Sequence, residues 1–345
     1  MVKINFVGDI ALFKEFQRRN VDPMQDICLP KSDFNIGNFE FIIPNKRENF
    51  FFDVSEEYKV DYDFFSKMKI ERFNALGFAN NHAMDYGREG IDDVISILES
   101  KNIKHFGIGE QAYNVLEFTV DTISFAVIGC VKNGRWIQEG AFSPNLYNKD
   151  LVINEIEAAK NKVDHVIVFP HIGSELVDVP SPQDIDTCRS FIDAGATAVI
   201  GHHPHIIQGF ENYKNRIIAY SLGSFIYLPE YEVGYSKKQG KEREFSICLN
   251  LSFSKDELVA QNFYYYKLDH QKLIPIPYKE ENGYFSNLNK WVGHPDLYYK
   301  KIKKQLIKRE IVSFFQRLKK DPFKTIKHYC SYLEFKHIKI IFKNK

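Results

Sequence analysis

The feature that most constrains this chain is a recurring unit, a short apolar and β-branched run that stops abruptly at glycine or polar residues. The runs are "KINFVGDI", "FNALGFANNH", "ISFAVIGC", "HVIVFPHIG", "AVIGHHPH", "IIAYSLGSF" and "FSICLNLSF". Runs of this length and make-up predict buried strands. Between several of them lie segments of helical period. "REGIDDVISILESKN" sets Ile91, Val94, Ile95 and Leu98 on one face, "LVINEIEAAKNK" behaves similarly, and "QDIDTCRSFIDAGA" stops near Gly195. Strand, helix, strand order predicts an α/β layered fold. The aromatic stretch from Tyr264 to Pro277 predicts further strand closing a sheet, and the polar "SKKQGKERE" from Ser236 to Glu244 predicts a mobile loop.

Composition bounds the setting. The chain has 345 residues, 44% hydrophobic and 26% charged, with 30 Phe and 19 Tyr to fill a core. That balance excludes a disordered chain. The expected division is residues 1–285 as the main domain and residues 286–345 as a basic, helical extension, with Ile302, Leu306, Ile311, Phe314, Phe315 and Leu318 as its apolar stripe. The five cysteines, at 28, 130, 188, 248 and 330, include no C-x-x-C pair. This points to a reducing compartment rather than a disulfide framework. "MVKINFVGDI" lacks the apolar stretch of a signal peptide, and no window reaches the ~20 apolar residues of a membrane-spanning helix. The expectation is a cytoplasmic protein. Overall net charge is +1, yet Lys300 to Lys345 carries 15 Lys and Arg against three acids, a net of +12, which leaves −11 for the first 299 residues. An acidic body thus precedes a basic tail.

Ligands of α/β proteins gather where strands end. The runs deliver Asp9; Asn38 and Glu40; Asn80, Asn81, His82 and Asp85; His171 and Glu175; His202, His203 and His205; and Ser221 and Ser224. Carboxylates, carboxamides and imidazoles from separate strand ends suit a Zn, Mn or Fe site. Two ions roughly 4 Å apart could share a carboxylate and supply hydroxide near neutral pH.

On these residues the chain resembles the CapA family of poly-γ-glutamate capsule synthesis, itself similar in fold to calcineurin-like metallophosphoesterases. The pieces that carry the resemblance are "FVGDI", "NIGNFE", "ANNHAMDYG", "GREGIDDVISILESKNIKHFGIGE", "HIGSE", "IDAGATAVIGHHPHIIQG" and "SLGSF", in register over about residues 1 to 230. The resemblance implies a layered α-β-β-α sandwich of the metallo-dependent phosphatase type. It implies one or two divalent ions, with Asp9 and His205 on the first, Asn81, His171 and His203 on the second, and Glu40 as the bridge. It implies that His82 protonates the leaving group or stabilises the transition state, oriented by Asp85. Asn38, Glu175 and His202 would stand at the substrate or behind the ligands. The implied reaction is hydrolysis of a phosphoester or amide bond in synthesis of a capsule or other cell-surface polymer. The sequence departs from the calcineurin-like pattern at Ala11, where those enzymes carry a further histidine, at Ser224, where the family often has asparagine, and at Ile172, which replaces a common tryptophan.

Plainer readings exist for each residue. Asp9 is placed as a helix N-cap would be, Asn80 and Asn81 suit a turn, and His82 with Asp85 forms a surface pair in a first helical turn. Glu40 reads equally as an exposed strand acid, and His171 as a core histidine. For the basic tail the readings, in order, are a solvated helical face docked on the body, contact with an anionic polymer or a membrane surface, and nucleic acid. Nucleic acid is not expected, since no reading motif accompanies the charge. A scaffold or export factor of the capsule-synthesis machinery is the alternative to an enzyme, and a nucleotide phosphodiesterase is a third reading.

Overall fold

The computed structural model describes residues 1–41, 43, 56–110, 113–132, 141–231, 241–280 and 283–292, with a few isolated positions up to 322. The stripe and charge run of the C-terminal tail lie outside the described residues apart from those isolated positions, and so does most of the Ser236–Glu244 stretch. By contact density, Met1–Pro295 forms one compact unit and Asp296–Lys345 a second.

Among the described residues of Met1–Pro295, sixteen strands and six α-helices follow one another. The strands are β1 (Val2–Ile10), β2 (Phe34–Phe39), β3 (Ala75–Gly77), β4 (Lys104–Phe106), β5 (Ile108–Gly109), β6 (Leu116–Val120), β7 (Ile123–Val131), β8 (Ser143–Pro144), β9 (His165–His171), β10 (Ala198–Ile200), β11 (Phe210–Tyr213), β12 (Arg216–Ala219), β13 (Ser224–Ile226), β14 (Phe245–Phe253), β15 (Leu258–Asp269) and β16 (Ile274–Tyr278). The helices are α1 (Lys14–Arg18), α2 (Tyr62–Ser66), α3 (Gly87–Ser100), α4 (Lys149–Ala159), α5 (Pro182–Ala194) and α6 (Tyr284–Val292).

One sheet runs β16-β15-β14-β1-β2-β3-β4, with β13 paired to the end of β1, and a second runs β11-β12-β10-β9-β7-β6. The aromatic stretch Tyr264 to Pro277 does form the edge of the first sheet, as β15 and β16.

Three apolar clusters define the layers. Val2, Ile4, Phe6 and Ile36 of the first sheet meet Phe125, Val127, Ile167, Phe169 and Ile200 of the second, where Phe34 stacks on Phe118 at 4.1 Å. The outer face of the second sheet, with Ala126, Ile128, Val166 and Val168, is covered by Val152 and Ile156 of α4 and by Ile185 and Phe191 of α5. The outer face of the first sheet is covered by Ile91, Val94, Ile97 and Leu98 of α3 and by Phe16 and Phe65 of α1 and α2. The order is therefore helices, sheet, sheet, helices, the α-β-β-α sandwich expected. Alternate residues of β7 and β9 enter different clusters, so strands buried on both faces read as continuous apolar runs rather than alternating ones. On α3, Ile97 takes a buried place and Ile95 is half-buried against the cluster. Helix α5 begins with Pro182 after the Ser181 cap and ends at Gly195, whose φ of 127° few other residues adopt.

Candidate metal centre

Parallel strands β1, β2, β3, β9 and β10 present their C-terminal ends together, and the polar residues follow those ends. Register sets the first row. Asp9 of β1 lies opposite Asn38 of β2 on one side and Ser224 of β13 on the other. The switch of β1 from its long partner β14 to β13 happens at Gly8, where a Cβ would stand 1.8 Å from the Gly223 carbonyl oxygen. Only glycine permits that approach, and it lets the Asp9 amide donate to the Gly223 carbonyl at 3.0 Å.

The histidine turn is built differently. After β10 the chain enters His202-His203-Pro204-His205, and both His203 (φ 100°) and His205 (φ 59°) adopt left-handed backbone. Such conformations cost a non-glycine residue of order 1–3 kcal/mol and cluster at functional sites. They aim the two imidazoles apart. Leu176, from the loop after β9, donates its amide to the Pro204 carbonyl at 2.8 Å and braces the turn.

The result is two donor groups that share one carboxylate. Asp9, Glu40 and His205 bring ligand atoms within 4.8 Å of one another, as do Glu40, His171 and His203. In the first group His205 Nδ1 lies 3.1 Å from Asp9 Oδ2, and His205 Nε2 lies 3.4 Å from Glu40 Oε1. In the second, His171 Nε2 stands 3.6 Å from Glu40 Oε1 and 3.1 Å from His203 Nδ1. Asn81 joins the second group, with Oδ1 2.6 Å from His171 Nε2. Asn38 donates to Asp9 Oδ1 at 2.8 Å and reaches within 3.3 Å of His171 Nδ1, so it touches both groups from behind. Ser224 Oγ lies 3.2 Å from His205 Nδ1.

Electrostatics test whether this donor set fits a cation. Glu40 is 0% exposed, and neither of its carboxylate oxygens has a hydrogen-bond partner. Asp9 Oδ2 likewise lacks a well-aligned donor, its close neighbour being the His205 imidazole at 3.1 Å. A buried carboxylate without donors is costly and rare, and burial pushes the Glu40 carboxyl well above its usual range, with Asp9 adding repulsion. Burial also holds the His171 imidazole well below its ordinary value, next to His203, and lowers His203 to about 4. Two neutral imidazoles thus face one another across 3.1 Å. Burial works against charge on His205 too, but Glu40 and Asp9 outweigh it and raise that imidazole to about 9. Buried oxygen atoms without donors beside the neutral imidazoles of His171 and His203 form a donor set that suits a divalent ion, and His205 would release its added proton on joining it.

Other residues singled out in the sequence sit around this centre. His82 Nδ1 pairs with Asp85 Oδ2 at 2.7 Å, with His82 reaching solvent and Asp85 buried behind it. Asn80 accepts from the His82 amide at 3.0 Å and donates to the Phe39 carbonyl at 2.8 Å, locking that loop to β2. Glu175 is half-buried on the loop after β9, and its charge bears on Glu40, His203 and His205. His202 belongs to neither donor group. Its ring lies 4.0 Å from Phe169, and its Nε2 stands 3.2 Å from the Val7 carbonyl, linking the second sheet to the first beneath the centre. Ala11 is wholly buried in the outer apolar cluster of the first sheet and brings no donor. Sequence reasoning missed Tyr227, whose ring lies 5.0 Å from His205, and Phe41, whose ring lies 4.3 Å from His82. No sequence signal separates such aromatics from core packing.

Comparison with known proteins follows the same residues. The chain is 32% identical over 252 residues to "Capsule biosynthesis protein CapA" of Bacillus anthracis, which covers 65% of this chain and 59% of that protein. It is 28% identical over 241 residues to "PGA biosynthesis protein CapA" of Bacillus subtilis, covering 66% and 63% respectively. The chain therefore spans about three fifths of the length of these relatives. A crystal structure described as a novel phosphatase, from Mycoplasma pneumoniae, aligns over 83% of the chain at 13% identity with a TM-score of 0.46. The family model for the bacterial capsule synthesis protein PGA_cap matches residues 3–228, the span that holds every residue of both donor groups. With that match over well more than half its length, the chain belongs to the bacterial capsule synthesis protein PGA_cap family.

Proposed function

We propose that this chain is a divalent-metal-dependent hydrolase of a phosphoester or amide bond, working with the capsule-synthesis machinery on an anionic cell-surface polymer or its precursor. The observation that carries the reading is Glu40, wholly buried, with both oxygens lacking donors, and common to the two donor groups. Asp9, Glu40 and His205 would hold one ion, and Glu40, Asn81, His171 and His203 the other, as Mn, Fe or Zn. Bound there, divalent ions would polarise the scissile group and supply hydroxide near neutral pH.

The chain's own residues do the rest. Asn38 fixes the Asp9 carboxylate, and Ser224 holds the His205 ring. Asp85 accepts from His82 Nδ1, which leaves Nε2 as the atom that exchanges a proton with the substrate or leaving group. Glu175 stands at the edge of the centre, where an incoming substrate would meet it. The proposed setting is cytoplasmic, with the basic tail against an anionic polymer or membrane surface; the charge asymmetry of the sequence supports this.

The test is elemental analysis of the purified chain, followed by hydrolysis of a generic phosphodiester and a γ-glutamyl amide with and without added Mn or Zn. Metal-dependent turnover that disappears in His203→Ala is expected. Absence of turnover on both substrate classes, with metal bound, would sink the enzymatic reading. A second reading rests on Ala11. The first group has no fourth side-chain donor from that position, so a chain holding a single ion and acting as a scaffold or export factor is the alternative. Two equivalents of metal per chain favour the hydrolase, and one or none favours the scaffold.

A further inference from the structure

The rings beside His82 form a face-stacked column, as Phe34, Phe118 and Phe125 do between the sheets. Phe41 stacks on His82 with centroids 4.3 Å apart and planes 28° apart, and Tyr58 stacks on Phe41 at 4.5 Å and 16°. The next contacts are edge-on. Phe13 meets Tyr58 at 5.1 Å and 61°, and Tyr227 at 5.1 Å and 77°. A face-stacked column therefore ends on His82, and an edge-packed pair anchors its far end. Tyr227 in turn lies against His205, so continuous ring contact runs from one side of the donor groups to the other. Phe41 directly follows Glu40, whose amide is tied to the Ile10 carbonyl at 3.0 Å. The backbone that seats the shared carboxylate thus also seats the ring against His82.

The Asp85 hydrogen bond holds Nδ1 at 2.7 Å, but hydrogen-bond angles are soft, so the imidazole can still tilt through small changes in χ1 and χ2. A flat ring on its face removes that freedom. We infer that Phe41, backed by Tyr58, is the positioning residue that sets the plane of the His82 imidazole, so that Nε2 points into the space in front of the metal ligands. This rests on the proposed role of His82 in hydrolysis, and it is separable from that role by experiment.

The test uses the full chain loaded with Zn and labelled with ¹⁵N-histidine, with His82→Gln to assign the resonance. In the wild type the His82 Nδ1 proton is expected to exchange slowly, and its ring protons to lie upfield through Phe41. Phe41→Leu should speed that exchange at least tenfold and abolish the upfield shift with zinc content unchanged. Phe41→Trp, which keeps a flat ring, should restore both, and Tyr58→Leu should give a smaller change in the same direction. Where bis(p-nitrophenyl) phosphate is turned over, Phe41→Leu should lower kcat about tenfold without raising KM. An unchanged exchange rate and shift in Phe41→Leu would overturn the inference. So would loss of zinc in parallel with the spectral change, or turnover that is abolished by His82→Gln but untouched by Phe41→Leu. A spectral change and Trp rescue in a chain without turnover would uphold the positioning role and remove the hydrolase reading instead.

Discussion

Strand β1 buries polar side chains at two heights, and the two ends are treated in opposite ways. At Asn5, wholly buried, the Nδ2 amide donates to the Pro30 carbonyl, Ser32 Oγ and Asn35 Oδ1 at 2.8–2.9 Å, and Oδ1 accepts from Asn250 at 2.8 Å. About 13 Å further along the strand, at Asp9 and neighbouring Glu40, three carboxylate oxygens lack a well-aligned hydrogen-bond donor. Both ends are equally dry, so burial does not distinguish them. What differs is closure. The Asn5 end is complete within the protein and serves cohesion between β1, β2 and β14, whereas at the Glu40 end buried acceptors stand without donors. A buried polar residue is informative about function when its partners are missing, and about folding when they are present.

That contrast can be broken by substitution, and the largest effect belongs to Glu40. Glu40→Gln should lower Zn or Mn affinity by more than the ~10–100-fold typical of losing an outer partner. In the metal-free protein the same change should leave stability within about 1 kcal/mol of the wild type, because burial already disfavours the charged carboxylate there. Calorimetric titration with the metal and denaturant unfolding in chelator measure the two effects, and a larger fall in metal-free stability would erase the distinction between the two ends.

Asn5→Leu should do the reverse. It strands the amide of Asn250 and the acceptors around Ser32 and Asn35, which should cost about 2–4 kcal/mol while metal content stays the same. Chelation sharpens the comparison further. At metal concentrations of 100 times Kd, removing the ion should destabilise the wild type by about 2.7 kcal/mol, as read from the midpoint of unfolding. Glu40→Gln should lose this response, and Asn5→Leu should keep it.

The smallest effect is expected where a polar group is neither sealed nor orphaned. His270, on the surface, lies 3.0 Å from Glu230 and 3.3 Å from Glu244. Burial works against its charge, but these carboxylates outweigh it and raise the imidazole above its ordinary value. The stabilisation is therefore full below about pH 6.5 and disappears as pH rises through the higher folded-state value. Solvent screening keeps it to ~0.5 kcal/mol or less. His270→Ala should narrow the difference in stability between acidic and alkaline pH by that amount, leaving metal binding untouched.

The sequence made some of this legible for definite reasons. Strands β1, β7, β9 and β14 announce themselves because nearly all of their residues are buried and most are apolar. The donor residues are visible because each sits where such a run stops, and a strand that ends in Asp9 or His171 has few structural uses for it. Sheet order was not legible. Nothing in "FSICLNLSF" says that it pairs antiparallel with β1, nor that β13 takes over that edge at Gly8. The same limit left open what His202 does behind the ligands, and pairing shows its ring committed to Phe169 and the Val7 carbonyl. Phe41 and Tyr227 were hidden for another reason. In a chain with 30 Phe and 19 Tyr, an aromatic beside the centre has the same local sequence as one in the core, and only its place in the folded chain tells them apart.

The left-handed backbone at His203 and His205 has a consequence beyond this molecule. At both places glycine or asparagine would relieve the main chain, so chance substitution in a lineage that no longer needed the ions would run downhill in energy and be hard to reverse. Stability and chemistry pull in opposite directions at these two positions. A chain that still carries imidazoles there holds a tracer of continued selection, one that can be read in any descendant before its substrate is known.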